Sequence, residues 1–339
     1  MVILLTMYTI LGNMADQPIG GTNFNLPGQV GEVYRGKVAD VYTLEHEAGD
    51  LLAVVRTDRI SAYDVVLPQL IPFKGQVLNE MSAHFLQATS EVAPNWFITA
   101  PDPNVSVGYR AEPIKVEMIM RGFLLGSSWK KYLGGSRDIS GNELPDGMEE
   151  FQPFDIPLLT PTTKAEEGHD EDISIEQIVE RGLATFDECI QMGLMSYHLF
   201  DAGQQIARER GLLLADTKYE FGRLATGEVV VIDEVHTPDS SRYFPADQFS
   251  GYDWSSTSPQ IRPEQMSKEF VREKLAELGF TGQPGEVPPE LSLDFRADVI
   301  AKYISLYTRM LNKPFVPADF DQHPLARIEG NILDFLSEF

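Results

Sequence analysis

Apolar residues recur along this chain at two periods, and the change from one to the other divides it. Period-two alternation marks strands at 33–44 and 51–57, with a polar turn at 45–50 between them. Residues 76–92 carry helical spacing, and 95–100 and 115–123 read as further strands, so the first lobe is strand-rich with one main helix. From 175 to 210 the period is helical through Ile178, Phe186, Ile190, Leu194, Leu199 and Ile206, ending at Gly211. That length predicts two helices or one broken helix. Two strand-like runs follow, 212–224 and 228–235, separated by the turn dipeptide Thr226-Gly227. Residues 268–278 and 297–311 predict helices packed on the second lobe, and 312–339 a terminal helical cap.

The segments without periodicity are informative too. Residues 16–29 are rich in Gly, Pro and Asn and read as a leader, so the fold is expected to begin near Gly31. Residues 134–163 are dense in Gly, Pro and acidic side chains and too long for a simple connection, which predicts a lid or site loop. The first eleven residues are apolar without Lys or Arg and too short to span a bilayer, so they are expected to be neither signal nor anchor, and Met14 is an alternative start. A cytoplasmic location is the expectation.

Composition narrows the partners. The 339 residues, 43% of them hydrophobic and 10% aromatic, suit a packed globular chain. A formal charge of −24 with no Lys/Arg run argues against a nucleic-acid partner. An acidic chain that handles phosphates must place its few cations locally, so Lys and Arg inside polar motifs carry more information than usual. The single cysteine, Cys189, lies in an apolar-periodic stretch and can form no intrachain disulfide.

The hairpin permits a geometric argument. If Thr226-Gly227 is a two-residue loop, Glu220 falls opposite Asp233, and facing carboxylates are unfavourable unless a cation sits between them. Mg²⁺, held by one or two carboxylates plus substrate phosphates, would resolve the conflict. Alternation puts Asp216, Lys218 and Glu220 on one face and Tyr219 and Phe221 on the other. The bland alternative is a solvated charged face.

Five more polar clusters stand out. The stretch 58–64, Asp-Arg-Ile-Ser-Ala-Tyr-Asp, follows an apolar strand and reads as a binding loop or an ordinary capped turn. At 121–128, Arg121 precedes two glycines and a helix beginning near Ser127, an arrangement that can bind phosphate or merely cap a helix. Arg242 closes a second polar loop at 239–242, and two such arginines could clamp one phosphomonoester. Gly36-Lys37 lies early in the first strand pair without Walker A spacing, and 160–172 gathers Lys164 and His169 among acidic neighbours.

In order along the chain, GKVADVY at 36–42, TDRISAYDVVLPQLIPFKGQVLNEMS at 57–82, VEMIMRGFLLGSSWKKY at 116–132, TPTTKAEEGHDEDIS at 160–174, LADTKYEFG at 214–222 and IDEVHTPDSSRYF at 232–244 closely resemble the SAICAR synthetase family, the phosphoribosylaminoimidazole-succinocarboxamide synthases. The resemblance covers roughly residues 31–312. It implies an α+β fold of the SAICAR synthase type: an N-terminal antiparallel β lobe, a larger C-terminal α+β lobe, and an ATP cleft between them, with distant likeness to protein kinases and ATP-grasp enzymes. It divides the chain into a leader at 1–30 expected to be disordered, a nucleotide-binding lobe at 31–115, a catalytic lobe at 116–266, and a helical part at 267–339 packed on the catalytic lobe.

The implied reaction joins L-aspartate to 5-amino-1-(5-phosphoribosyl)imidazole-4-carboxylate, with ATP and Mg²⁺ as cofactors, in purine biosynthesis. By motif position, Lys37 and Lys164 would approach the ATP phosphates, Glu112 and Ile114 would flank the adenine, and Glu220 and Asp233 would hold Mg²⁺. Ser61, Asp64, Arg121, Ser127 and Arg242 would bind the ribotide, with Asp216 and Lys218 as the catalytic pair. Partners would be small molecules, with no nucleic acid and no membrane, acting on a monomer or small homo-oligomer. Ala39 stands where the family often has Arg, and Phe73 where it has Gly. A kinase-like phosphotransferase is the competing enzyme reading, but the chain lacks the Gly-rich loop, HRD and DFG signatures. A non-enzymatic nucleotide-binding regulator would leave the polar motifs unexplained.

Overall fold

In the computed structural model of the protein, the described residues are 18–164, 170–249, 252, 262–318 and 322–339. The first eleven residues, Met14 and His169 lie outside them.

The N-terminal lobe contains β1 (Tyr34–Arg35), β2 (Ala39–Leu44), β3 (Leu51–Arg56), the short pair β4 (Ser61–Ala62) and β5 (Val65–Val66), helix α1 (Lys74–Ala88), β6 (Phe97–Asp102) and β7 (Val105–Tyr109). Its sheet runs β1-β2-β3-β7-β6, antiparallel throughout. Alternation decides what each face meets. Tyr42, Leu44, Leu51, Ala53 and Val55 enter an outer core with Val105 and Val107, while the intervening Val41, Leu52 and Val54 face a cavity.

That outer core corrects two expectations. Ile19, Phe24 and Leu26, read as part of a leader, are buried in it because their apolar side chains cover the sheet face that would otherwise meet water. The last helix, α7 (Pro324–Glu338), buries Ile328 and Ile332 on the same face. The terminal helix therefore packs on the N-terminal lobe, not on the second lobe where it is expected from the sequence.

The second lobe contains β8 (Ala111–Phe123), α2 (Gly126–Leu133), the hairpin β9 (Asp138–Ile139) and β10 (Asn142–Glu143), β11 (Pro153–Leu159), β12 (Thr162–Thr163), α3 (Ile175–Glu180), α4 (Phe186–Glu209), β13 (Leu212–Leu224), β14 (Val229–Ile232) and β15 (Ser241–Pro245). Its sheet runs β11-β8-β13-β14, with β12 on β8 and β15 on β13. The helical stretch is broken as its length predicts: α3 and α4 each start with a capping box, at Ser174/Gln177 and Thr185/Glu188, and Gly182 turns the chain between them at φ +68°. The region 134–163 is no open lid, because Ile139, Leu144 and Met148 pack with Leu124 and Tyr132 in a core of their own.

The hairpin register differs by one residue from the sequence expectation. Glu220 pairs with Ile232 and Arg223 with Val229, leaving Ala225, Thr226 and Gly227 as a three-residue loop with Gly227 at φ +87°. A left-handed glycine ending a three-residue loop is a favoured hairpin solution. Asp233 consequently lies just beyond β14, at φ +62°, and is not opposite Glu220. On its other side Glu220 pairs with Glu117 of β8.

Helices α5 (Glu269–Glu277) and α6 (Leu293–Leu311) follow, the latter capped by Ser292 and packed on α1 through the main core. Among the described residues no helix is long and apolar enough to cross a membrane.

Candidate active site

A cavity of about 860 Å³ lies between the lobes. One wall is apolar, formed by Val38 of the turn before β2 and by Ala39, Val41, Leu52 and Val54 of the N-terminal sheet. The opposite wall is ionic, because alternate residues of two neighbouring strands, Glu117, Ile119 and Arg121 on β8 and Asp216, Lys218 and Glu220 on β13, turn the same way. Tyr219 and Phe221 point to the other side, where both are fully buried.

Register brings charges together in rungs. Asp216 pairs with Arg121 across the sheet, and Glu220 with Glu117. The facing carboxylates are bridged by Lys218, which bonds Glu117 at 2.8 Å and also Glu220, while Lys164 bonds Glu220 from the other side. The facing carboxylates are therefore Glu220 and Glu117 on the β8–β13 ladder, not Glu220 and Asp233 across the hairpin, and the cation between them is a lysine. Burial alone would raise Glu220, yet Lys218 and Lys164 hold it down at about 2. Burial raises Glu117, against the opposing pull of Lys218. Lys218, despite burial, is held well above its ordinary value by Glu220 and Glu117 and stays charged.

At one end of this wall Arg121 bonds Thr160 Oγ1 at 2.8 Å and Ser127 Oγ at 3.3 Å, and lies 3.5 Å from Asp216. Arg242 bonds Asp216 and, at 3.0 Å, Glu269. Its guanidinium lies over Gly126, where an added Cβ would come within 2.8 Å of Nη2, so this glycine admits the arginine. Helix α2 starts at Gly126 with no side-chain cap, leaving first-turn amides to a ligand.

Near the lobe junction Asp233 accepts from Arg56 at 2.6 Å, and Lys37 pairs with Asp64. At the far end Lys268 lies 3.2 Å from Ser61 Oγ and 3.4 Å from buried Asp239, which also accepts from Lys74 and Tyr303. Burial and its cationic neighbour Lys74 lower Lys268 although Asp239 opposes them. Arg272, one turn further along α5, bonds Glu269 at 3.0 Å.

The cavity thus gathers Lys37, Ser61, Asp64, Arg121, Ser127, Lys164, Asp216, Lys218, Glu220, Asp233 and Arg242. It does not gather Glu112 and Ile114: strand alternation sends Ala111 and Pro113 to the cavity, and Ile114 into the core. Residues that the motif argument assigned no role also line it, including Arg56, Glu117, Asp239, Lys268, Glu269 and Arg272. The i, i+4 spacing of Lys268 and Arg272 was the one signal available for that pair. Among the described residues no group of three or more His, Cys, Asp or Glu converges as a metal cage. Two ionic carboxylates beside open space still match the donor set of a Mg²⁺ shared with phosphates, as Glu220 and Asp233 provide.

Comparison with known proteins gives a consistent picture. The chain matches the SAICAR synthetase family over residues 32–286. It is 49% identical over 318 residues to the phosphoribosylaminoimidazole-succinocarboxamide synthase of Bacteroides thetaiotaomicron, covering 94% of this chain and 98% of the relative. The synthase of the same name from Flavobacterium psychrophilum is 46% identical over 316 residues, covering 93% and 97%. Among solved structures, the SAICAR synthase from Saccharomyces cerevisiae complexed with SAICAR superposes with a TM-score of 0.70 at 29% identity, over 88% of this chain and all of that one.

Proposed function

The chain belongs to the SAICAR synthetase family, and we propose that the inter-lobe cavity is where its reaction takes place, with nucleotide against the apolar wall and ribotide along the ionic one. The reaction is the ATP-dependent ligation of L-aspartate to 5-amino-1-(5-phosphoribosyl)imidazole-4-carboxylate, giving SAICAR, ADP and phosphate. The observation that carries the assignment of roles is the ladder from Arg121 to Glu117 on β8, matched by Asp216 to Glu220 on β13. Four residues at about 3.3 Å each separate its phosphate-binding end from its acidic end by about 13 Å. One substrate can therefore be gripped at one end and react at the other.

Arg121, Arg242, Ser127 and the free amides of α2 hold the ribotide phosphate, and Asp216 keeps both guanidiniums convergent by accepting from Arg242 and pairing ionically with Arg121. Lys218, fixed in its charged state, donates to the substrate carboxylate, while Ser61 and Asp64 flank the imidazole. Lys37 and Lys164 approach the ATP phosphates. Glu220 and Asp233 would hold Mg²⁺, which neutralises charge on the transferring phosphoryl group when bound. A carboxylate oxygen attacks the γ-phosphorus, ADP leaves, and the acyl phosphate is attacked at carbon by the aspartate amine, expelling phosphate. The chain supplies positioning and fixed charge for these steps, without a covalent nucleophile.

Aspartate brings two carboxylates and needs cations that the other substrates do not occupy. Lys268 and Arg272 line the cavity on one face of α5 beside Ser61, and they are our assignment for the dicarboxylate. The adenine lies against the backbone of β8 near Ala111 and Pro113, both of which line the cavity. A cytoplasmic monomer or small homo-oligomer completes the reading.

The test is ADP release with each substrate omitted in turn, run with carboxylate-¹⁸O-labelled ribotide. Release that requires all three substrates, with label in the phosphate product, is expected. Release that is indifferent to aspartate would favour a phosphotransferase, and unlabelled phosphate would exclude the acyl phosphate.

A further inference from the structure

The turn that carries Lys37 is held from behind by a segment preceding the family match, which begins at residue 32. Arg59 lies just past β3 and its guanidinium reaches four oxygens. Nη1 donates to Gly20 O at 2.8 Å, Nη2 to Gly36 O at 2.9 Å and to Asp40 Oδ1 at 2.8 Å, and Nε to Lys37 O at 3.3 Å. Asp40, fully buried, also accepts from Thr22 N at 2.6 Å, Thr22 Oγ1 at 2.9 Å and Arg35 Nη1 at 3.0 Å. Arg35 in turn donates to Thr22 O at 2.7 Å. Ile19 exchanges two bonds with Asp58, N to Oδ2 at 2.9 Å and O from the Asp58 amide at 2.8 Å.

None of Thr22, Asp40 or Arg59 lines the cavity, whereas Gly36, Lys37 and Val38 do. Planar trans peptides place the N–H opposite the C=O. With the Gly36 and Lys37 carbonyls drawn toward Arg59, the amides of Lys37 and Val38 are turned away from it, and the residues that bear them line the cavity. A fork with five donors suits this task, and a lysine ammonium cannot span the same oxygens.

We propose that the arm at residues 18–24 is part of the nucleotide site: through Asp40 and Arg59 it sets the 36–39 turn so that two backbone amides and Lys37 meet the phosphates of a nucleoside triphosphate. Arg59 is a positioning residue, and the proposal rests on the reading that Lys37 approaches ATP. It differs from an ordinary packing role in which substrate loses affinity when it fails.

The experiment measures Michaelis constants for ATP, ribotide and aspartate, with thermal melting, in Arg59→Lys, Thr22→Val and Lys37→Ala. Thr22→Val keeps the Thr22 amide bond and the side-chain volume but takes the acceptor from the buried Tyr42 hydroxyl, so its melting temperature is read beside its Michaelis constants. Arg59→Lys is expected to raise the ATP constant about tenfold and Thr22→Val about threefold, each leaving the other two constants within about twofold. Unaltered ATP constants in both, beside a raised one in Lys37→Ala, would overturn the arm's role alone. An unaltered ATP constant in Lys37→Ala would overturn the phosphate reading and the proposal with it. All three constants rising together, in step with a lower melting temperature, would reduce the arm to a structural brace.

Discussion

The two walls of the cavity are made by the same device, an antiparallel strand whose alternate residues face inward, yet β3 presents Leu52 and Val54 where β13 presents Asp216, Lys218 and Glu220. The apolar wall holds nothing that a ligand must displace. On the ionic wall the inward carboxylates are already satisfied: Glu117 by Lys218, Glu220 by Lys218 and Lys164, Asp216 by Arg121 and Arg242. A substrate entering there exchanges one set of charge-assisted bonds for another, so affinity comes from better geometry and not from charge as such. Losses on the ionic wall should therefore be large and specific to one substrate, and losses on the apolar wall small and confined to nucleotide.

The largest effect is expected at the acidic end of the ionic wall. On the proposal that Glu220 and Asp233 hold Mg²⁺, Glu220→Gln or Asp233→Asn should lower turnover by about a hundredfold or more, because a neutral amide would no longer offset the metal against the phosphates. Stability separates this from an ordinary surface change. Glu220→Gln leaves Lys164 without its carboxylate and Lys218 with Glu117 only, which should lower stability by about 1–3 kcal/mol in the absence of ligand. Thermal melting with and without Mg·ADP, beside steady-state turnover, checks both halves. Turnover near the parent's in both variants would move the metal to another part of the cavity.

Next comes the opposite end. Arg121→Ala and Arg242→Ala should each raise the ribotide constant by about a hundredfold, as expected for a lost charge-assisted pair worth about 2–3 kcal/mol. The ATP constant should move less than threefold. Arg242→Lys should not restore affinity, since the planar fork over Gly126 is what reaches Asp216 and Glu269 together. Equal weakening of ATP and ribotide would show that the two walls are not divided between the substrates.

These residues show how far the sequence carries. The motif clusters lay along the chain in an order that named the family, and alternation on β13 placed Asp216, Lys218 and Glu220 on one face from spacing alone. The hairpin register was not recoverable, because Thr226-Gly227 fits either a two- or a three-residue loop, and the choice moves Asp233 by one position relative to Glu220. Pairing across β8 was equally hidden: nothing local to Glu117 or Glu220 says they will be neighbours 103 positions apart, yet that contact explains the charge state of Lys218. The arm at 18–30 was misread because Gly, Pro and Asn signal irregular backbone, and irregular backbone can still bury Ile19, Phe24 and Leu26.

A smaller effect lies behind the ionic wall. His236 is fully buried, with Nε2 2.7 Å from Tyr219 Oη and its ring against Phe85, and Gly203 makes room for it, since a Cβ there would sit 2.5 Å from Cε1. Burial pushes its pKa down to about 3 from an ordinary 6.5. A depressed folded-state value means the stabilisation is complete above pH 6.5 and is lost as pH falls toward 3. Between pH 6.5 and 4.5 the loss should approach about 2–3 kcal/mol. Asp58 acts in the opposite sense, since burial raises it to about 6, so its contribution is lost as pH rises. His236→Asn tolerates the left-handed backbone at φ +58° and does not titrate, so its melting temperature should fall less steeply with acid than the parent's. Parallel pH profiles would remove His236 as the source of the slope.

The smallest effect should come from the apolar wall. Val54 is 8% exposed and stands on β3 between Ala53 and Val55, both of which face the outer core, so its side chain alone meets the cavity from that part of the strand. Val54→Ala removes two methyl groups without exposing a polar atom, and a ligand packed there would lose about 1 kcal/mol, or roughly fivefold in its constant. The ATP constant should rise by that amount, with turnover at saturating ATP and the ribotide constant unchanged, because no charge or bond on the facing wall depends on Val54. Val54→Thr provides the sharper comparison: it keeps the volume and the β-branched backbone preference but adds a hydroxyl that the apolar wall does not satisfy. If Val54→Thr weakens ATP as much as or more than Val54→Ala, the wall binds a dry, apolar ring face. A Thr variant that binds ATP as well as the parent would mean that water reaches this wall in the complex, and that the nucleotide base lies elsewhere.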